Sequence, residues 1–307
     1  MSALTVSKED EARVKGMGFL NNRGTDLFSA RVLTVNGKVT AAQHRCMAEA
    51  AEKFGNGNLL YTTRLSVEIQ GIPYDKIEEF QQFIAKEGLV TGGTGAKVRP
   101  VVSCKGTTCQ YGLLDSYAIS EEIYKRFYEG YRNVALPHKF KIAVGGCPNN
   151  CVKPNLNDVG IIGQRIPQVD TDVCKGCKKC AIEAACPNKV AKVVDGKLHI
   201  DEELCRHCGR CVGKCPFHSI PDGTYGFKIY IGGRWGKKIS HGKALNRIFT
   251  SEEEALDVIE KAILLFKDQG LKGERFAETI ERIGFENAEK QLLEKNLLER
   301  KMEILSK

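Results

Sequence analysis

CKGCKKCAIEAACP, residues 174–187, and CRHCGRCVGKCP, residues 205–216, are two versions of one pattern: three cysteines at two-residue intervals, then a fourth followed by proline. A tight C-x2-C-x2-C loop wraps three corners of a [4Fe-4S] cubane, and the distant cysteine before proline supplies a corner of the neighbouring cluster. On that logic Cys174, Cys177, Cys180 and Cys215 hold one cubane, and Cys205, Cys208, Cys211 and Cys186 hold the other. Zinc also accepts four thiolates at C-x2-C spacing. Three closely set thiolates, repeated and closed each time by Cys-Pro, fit two cubanes better. The segment from about 166 to 221 carries these eight cysteines and little else that is apolar, so it reads as a module set into a larger fold.

The chain around it, 307 residues in all, is long enough for a hydrophobic core and for two domains of about 100–200 residues. No apolar run approaches the roughly 18–20 residues that would span a bilayer, so no membrane span is expected. The N-terminal MSALTVSKEDEARVKG is polar and has no apolar leader core, which points to a cytoplasmic protein. Thirteen cysteines clustered at C-x2-C spacing in such a chain read as metal thiolates in a reducing compartment rather than as disulfides. The formal charge of +8 is scattered, without an Arg/Lys run interleaved with aromatics, so nucleic acid is not an expected partner. A basic frame suits anionic clusters and an anionic cofactor.

Outside the insert the pattern is α+β. A strand is expected over 28–35, a turn at Asn36-Gly37, a helix over 41–54 stopped by Gly55, and a strand over 59–71. In the helix Cys46, Ala50 and Phe54 recur every four residues as the buried stripe, so Cys46 reads as a core residue. On the strand Leu65, Val67 and Ile69 alternate with Arg64, Ser66 and Glu68, giving one apolar and one polar face. Further helices are expected near 74–86, near 120–128 and from Ser251 to a stop at Gly270, with a charged amphipathic helix over 287–307. Strands are expected over 139–144 and 226–231.

Four more cysteines lie in two loops: Cys104 and Cys109 in SCKGTTC, Cys147 and Cys151 in GGCPNNC. Small residues there let backbone N–H groups approach cluster sulfurs, so the loops read as a third metal site. With the segments around them, they resemble the siroheme-containing sulfite and nitrite reductase family, and the 174–216 module resembles a bacterial two-cluster ferredoxin. The likeness covers nearly the whole chain outside the insert. The small anaerobic or dissimilatory-type sulfite reductase subunits, with their inserted ferredoxin module, are the most similar members. The implied organisation is a ferredoxin-like, parachute-like half at 1–90, a siroheme/[4Fe-4S] catalytic domain at 91–165, the two-cluster insert at 166–221, and the rest of the catalytic domain with C-terminal helices at 222–307. Two spacings depart from the families: five residues separate Cys180 from Cys186 where three are usual, and four separate Cys104 from Cys109 where five are usual.

The resemblance implies three [4Fe-4S] clusters and a siroheme, with Cys151 bridging the third cluster to siroheme iron. LPHKFKI, residues 136–142, is similar to a family segment whose two lysines face the substrate, here Lys139 and Lys141. Residues two apart share a strand face, while Phe140 and Ile142 would pack behind. Arg31 and Arg99 fall at substrate-binding arginines of the family. Arg64, Asn149 in the GGCPNNC loop, and Arg234 and Lys238 in GGRWGKK, residues 232–238, fall at the siroheme site. His138 stands where the family has arginine. The implied reaction is six-electron reduction of sulfite to sulfide, with nitrite reduction to ammonia and a polyferredoxin electron carrier as alternatives. A ferredoxin or a separate flavin or iron-sulfur subunit would supply electrons, since no Gly-x-Gly-x-x-Gly dinucleotide motif is present. Larger family members carry two tandem copies of the catalytic half; this chain carries one, so a homo-oligomer or pairing with a related subunit is expected.

Overall fold

In the computed structural model, which describes residues 6–307, the chain forms two compact units. One comprises the chain up to residue 102 with 120–142 and 260–307; the other comprises 103–119 and 143–259. The first five residues of the N-terminal stretch read above lie outside the described residues. Among the described residues no helix is long and apolar enough to cross a membrane.

The first unit contains an antiparallel sheet of β1 (Phe19–Asn21), β2 (Leu27–Val32), β3 (Leu59–Tyr61) and β4 (Val67–Pro73), in the order β1-β2-β4-β3. The helix Ala41–Phe54 begins where expected because Thr40 and Gln43 form a reciprocal cap: the Gln43 N–H donates to Thr40 Oγ1 at 3.1 Å, and the Thr40 N–H to Gln43 Oε1 at 3.0 Å. It ends at Gly55, where a Cβ would sit 2.5 Å from the Gln70 carbonyl oxygen. Cys46, Ala50 and Phe54 are buried with Phe28, Val67 and Ile69 in one core, as the four-residue stripe predicts.

The expected single strand over 59–71 is instead an antiparallel hairpin of β3 and β4. The Thr62 hydroxyl accepts from the N–H groups of Arg64 at 3.3 Å and Ser66 at 3.2 Å, and Leu65 takes a φ of 59°. Local side-chain bonding to the backbone wins over the pleat at that point. Arg64 therefore stands in a turn rather than on the strand's polar face, and Leu65 is half-buried while Val67 and Ile69 are buried. The 139–144 strand is also shorter than expected, with regular pairing only from Ile142. Phe140 makes an isolated bridge to Val98 and stacks with Phe266 and Phe276 at ring distances of 5.8 and 5.1 Å. The C-terminal segment is three short helices, Phe285–Leu293, Asn296–Glu299 and Lys301–Ser306, broken where Glu294 becomes extended.

A five-stranded sheet, mainly of the second unit, contains β5 (Val102–Ser103), β6 (Ile142–Gly145), β7 (Val159–Pro167), β10 (Gly223–Ile231) and β11 (Lys243–Phe249), ordered β11-β10-β7-β6-β5. The sequence reading missed β5, β7 and β11. Between β7 and β10 the chain forms a short helix, Ala181–Ala185, and a two-stranded hairpin, β8 (Ala191–Val194) and β9 (Lys197–Ile200). Ile182, Ala191, Leu198 and Ile220 make a small core of their own there, with Cys174, Cys180, Cys186, Cys211 and Cys215 packed around it.

Candidate functional site

The GGCPNNC and SCKGTTC loops meet in the second unit through two glycines. A Cβ on Gly146 would lie 2.7 Å from the Gly106 Cα and 3.4 Å from Cys104 Sγ, and a Cβ on Gly106 would lie 2.8 Å from the Gly146 Cα. Only residues without side chains allow this approach. The contact aims the Gly146 N–H at Cys104 Sγ, 3.1 Å away, and lets the Leu113 N–H donate to the Gly146 carbonyl at 2.8 Å. The Cys104 carbonyl accepts from Ser116 Oγ at 2.7 Å, which fixes the other side of the loop. Burial pushes the Cys147 thiol up; the Asn149 N–H opposes this, and Cys104, Cys151 and Cys109 reinforce it. All four thiols, Cys109 included, thus share one neighbourhood. Asn149 acts there through its backbone, its side chain being exposed. Cys151 is the exposed member of the four.

In the insert, Cys186 joins Cys205, Cys208 and Cys211 around one small cavity. Burial raises the thiols of Cys205 and Cys211, the latter to about 11. For the two cysteines that precede proline the balance is reversed. Burial opposes ionisation of Cys186, but backbone N–H groups of Ala191, Val190, Asn188 and Lys189 outweigh it and lower its pKa. Burial likewise opposes ionisation of Cys215, and Ser219, Phe217 and His218 outweigh it. All thirteen cysteines are unbonded thiols. Cys174 and Cys180 pack with Cys215 on the insert core, and Cys177 lies half-buried in the same run. Among the described residues no three His, Cys, Asp or Glu side chains are close enough for a single metal ion. Quartets of thiols fed by backbone donors suit an iron-sulfur cube. A further cavity of about 530 Å³ lies between the third site and the insert, lined by Cys147, Pro148, Cys208, Gly209, Tyr111 and Arg210.

Cations gather in the first unit. Arg31, opposite Glu68 in the β2–β4 register, donates to Glu68 Oε1 from Nε at 3.0 Å and Nη2 at 2.5 Å. Its Nη1 reaches the Gly93 carbonyl at 3.2 Å, and Arg99 Nη1 donates to the same oxygen. Arg99 Nε is buried without a hydrogen-bond partner. Burial, then the charges of Arg31 and Arg275, pull the Arg99 pKa down to about 10. His138 is held below its ordinary value by burial, then by Arg275, Lys139 and Arg99. The structure therefore groups Arg31, Arg99 and Lys139 with two residues the sequence reading did not select, Arg275 and His138. Of these, Arg275 is buried and Arg31, Arg99, His138 and Lys139 are half-buried, and a gathering of cations of this kind is a candidate anion site. Lys141 follows Phe140 in the same extended segment, half-buried. Arg64 donates to the Pro100 carbonyl at 2.8 Å and, at 3.5 Å, to that of Ile142.

Arg234 and Lys238 stand in the second unit, on a hairpin closed by two backbone bonds of 2.9 Å between Arg234 and Ser240. Gly233 leaves no room for a Cβ, which would lie 2.3 Å from the Asn157 oxygen, so the hairpin is pinned to the segment following Cys151. Lys238 is exposed at its tip and Arg234 is half-buried.

The nitrite and sulphite reductase 4Fe-4S domain matches residues 94–301, and the nitrite/sulfite reductase ferredoxin-like half domain matches residues 21–86. The chain belongs to the nitrite and sulphite reductase family. It is 30% identical over 240 residues to a coenzyme F420-dependent sulfite reductase of Methanocaldococcus jannaschii, covering 77% of this chain and 37% of that protein. It thus spans little more than a third of that relative. It is 28% identical to one of the subunits of the anaerobic sulfite reductase of Salmonella typhimurium, covering 79% of this chain and 73% of that one. Among solved structures, dissimilatory sulfite reductase I superposes with a TM-score of 0.70 at 23% identity, covering 87% of this chain and 69% of that one. The Mycobacterium tuberculosis NirA protein gives 0.66 at 18% identity over 96% of this chain and 48% of that one. These likenesses establish the reductase fold.

Proposed function

We propose that this chain reduces sulfite to sulfide with a siroheme and three [4Fe-4S] clusters. The overall change, SO3²⁻ + 6 e⁻ + 7 H⁺ → HS⁻ + 3 H2O, demands charge neutralisation, stepwise electrons and a proton at every departing oxygen. Siroheme supplies the iron that binds sulfur and relays electrons when it is bound. The chain's own residues do the remainder. Cys104, Cys109, Cys147 and Cys151 would hold the coupled cluster, and Cys151 would be the residue that links it to siroheme. Arg64, Arg234, Lys238 and the Asn149 loop bind siroheme carboxylates. Arg31 and Arg99 bind the dianion, and Lys139 and Lys141 donate hydrogen bonds and protons to its oxygens, lysine being the more easily tuned acid.

Residues 166–221 act as a two-cluster ferredoxin module between the catalytic segments 91–165 and 222–307, behind the ferredoxin-like half at 1–90. The cavity shared by Cys147 and Cys208 supports an order in which the Cys205/Cys208/Cys211/Cys186 cluster is the inner one and the Cys174/Cys177/Cys180/Cys215 cluster receives electrons first. A ferredoxin or a flavin or iron-sulfur subunit donates them in the cytoplasm. A related subunit or a second copy of the chain completes the enzyme, in keeping with relatives named as subunits.

The observation that carries the substrate reading is the meeting of the Arg99 and Arg31 guanidinium groups on the Gly93 carbonyl. Two arginines with two lysines suit doubly charged sulfite better than singly charged nitrite. With electrochemically reduced methyl viologen, kcat/KM for sulfite should exceed that for nitrite. A preference for nitrite, or no turnover of sulfite, would overturn the assignment.

A further inference from the structure

Seven lysines of the insert, Lys175, Lys178, Lys179, Lys189, Lys192, Lys197 and Lys214, are exposed, and among the described residues none makes an ion pair. Three of them, Lys179, Lys189 and Lys192, line a surface hollow of about 790 Å³ together with Cys180 and Cys186. Those are one thiol from each proposed insert cluster. The single carboxylate lining the hollow, Glu183, is used internally: its Oε1 accepts from the Val193 N–H at 2.7 Å. On β8 Lys192 and Val194 share the exposed face, so Val194, 48% exposed, adds an apolar contact beside the charges.

We propose that this hollow is the docking site of an acidic, low-potential electron-carrier protein of the ferredoxin class, which delivers electrons through Cys180 to the outer cluster. The inference rests on the reading of 166–221 as a two-cluster module. Three lysines without counter-charges would steer a negatively charged carrier and set its register, a contribution to encounter rate that salt screens. Cys180 in the lining of the hollow brings the carrier's centre close to a ligand of the outer cluster. The rest of the surface lysines play no part.

The test uses the holoprotein and a purified acidic two-[4Fe-4S] ferredoxin, with binding followed by calorimetric titration and sulfite turnover driven by the same ferredoxin held reduced at an electrode. Lys189→Glu/Lys192→Glu should raise the Kd and the ferredoxin KM at least tenfold, leave kcat within twofold, and remove most of the ionic-strength dependence seen with the unaltered protein. Adding Lys179→Glu should deepen the loss. Lys125→Glu/Lys272→Glu/Lys295→Glu, exposed lysines of the other unit, should change nothing. Iron content is measured for every variant, so that a lost cluster is not mistaken for lost docking. An unchanged Kd in the double variant, or no binding of the acidic ferredoxin to the unaltered protein, overturns the docking site. Absence of viologen-driven sulfite turnover would instead sink the assigned reaction, while the titration still decides the surface.

Discussion

At Gly146 a single methyl group decides whether two cysteine loops can meet. Its Cβ would lie 2.7 Å from the Gly106 Cα, backbone against backbone, with no flexible side chain to yield. Gly146→Ala should therefore cost the third cluster and the siroheme coupled to it while sparing the insert: iron per chain should fall from about thirteen to about eight, as measured on anaerobically purified protein. Lys139 stands among Arg99, Arg275 and His138. Lys139→Met should retain the cofactor spectrum yet lower sulfite turnover by about a hundred- to a thousandfold, the usual effect of deleting one preorganised donor; unchanged turnover would remove Lys139 from the proposed chemistry. His138 is held toward its neutral form by burial and by the surrounding cations, which suits it to pack beside Lys139, whose N–H it accepts at 2.8 Å.

At the scale of elements, the helix Phe276–Ile283 starts where the Arg275 N–H donates to Glu278 Oε2 at 2.9 Å, and Glu274, just before it, ties the preceding turn to the helix through Thr279 and Arg282. Glu274 accepts from Arg282 Nε and Nη2 at 2.9 Å, from the Leu271 N–H at 3.0 Å and from Thr279 Oγ1 at 3.0 Å. The Arg282 bond, against the opposing effect of burial and with help from Leu271 and Thr279, holds the Glu274 pKa at about 2. The folded value lies below the unfolded 4.5, so the stabilisation is complete above that pH and drains away as pH falls from 4.5 toward 2. Glu274→Gln should lower the melting temperature at pH 7, and the gap to the unaltered protein should narrow below pH 4.5 in thermal melts.

Elements of this kind were unequally legible. The helix Ala41–Phe54 could be read because its cap, its four-residue stripe and its terminal glycine are all local signals. The eight insert cysteines could be read because ligand spacing is also local. The hairpin at Thr62–Ser66 could not, since hydroxyl bonding to the backbone and strand alternation compete there with similar strength. Arg275 carries no local signal at all: it joins Arg99 and His138 only through tertiary packing. Nor does sequence spacing say that Cys208, rather than a cysteine of the first run, faces Cys147 across a cavity.

At the scale of the whole molecule, one chain carries two kinds of hardware: a group of cations in one unit, and twelve clustered cysteine thiols in the other. Neither suffices for the reaction alone. Thiols without the cations would make an electron carrier, and cations without the thiols an anion binder. The optical spectrum of the anaerobically purified chain, taken with iron and acid-labile sulfide analysis, tests the joint claim most directly. Tetrapyrrole bands that shift on adding sulfite are expected, over a broad iron-sulfur absorbance with about thirteen irons per chain, twelve in the cubanes and one in the siroheme. A spectrum showing iron-sulfur absorbance alone, unmoved by sulfite, would contradict it.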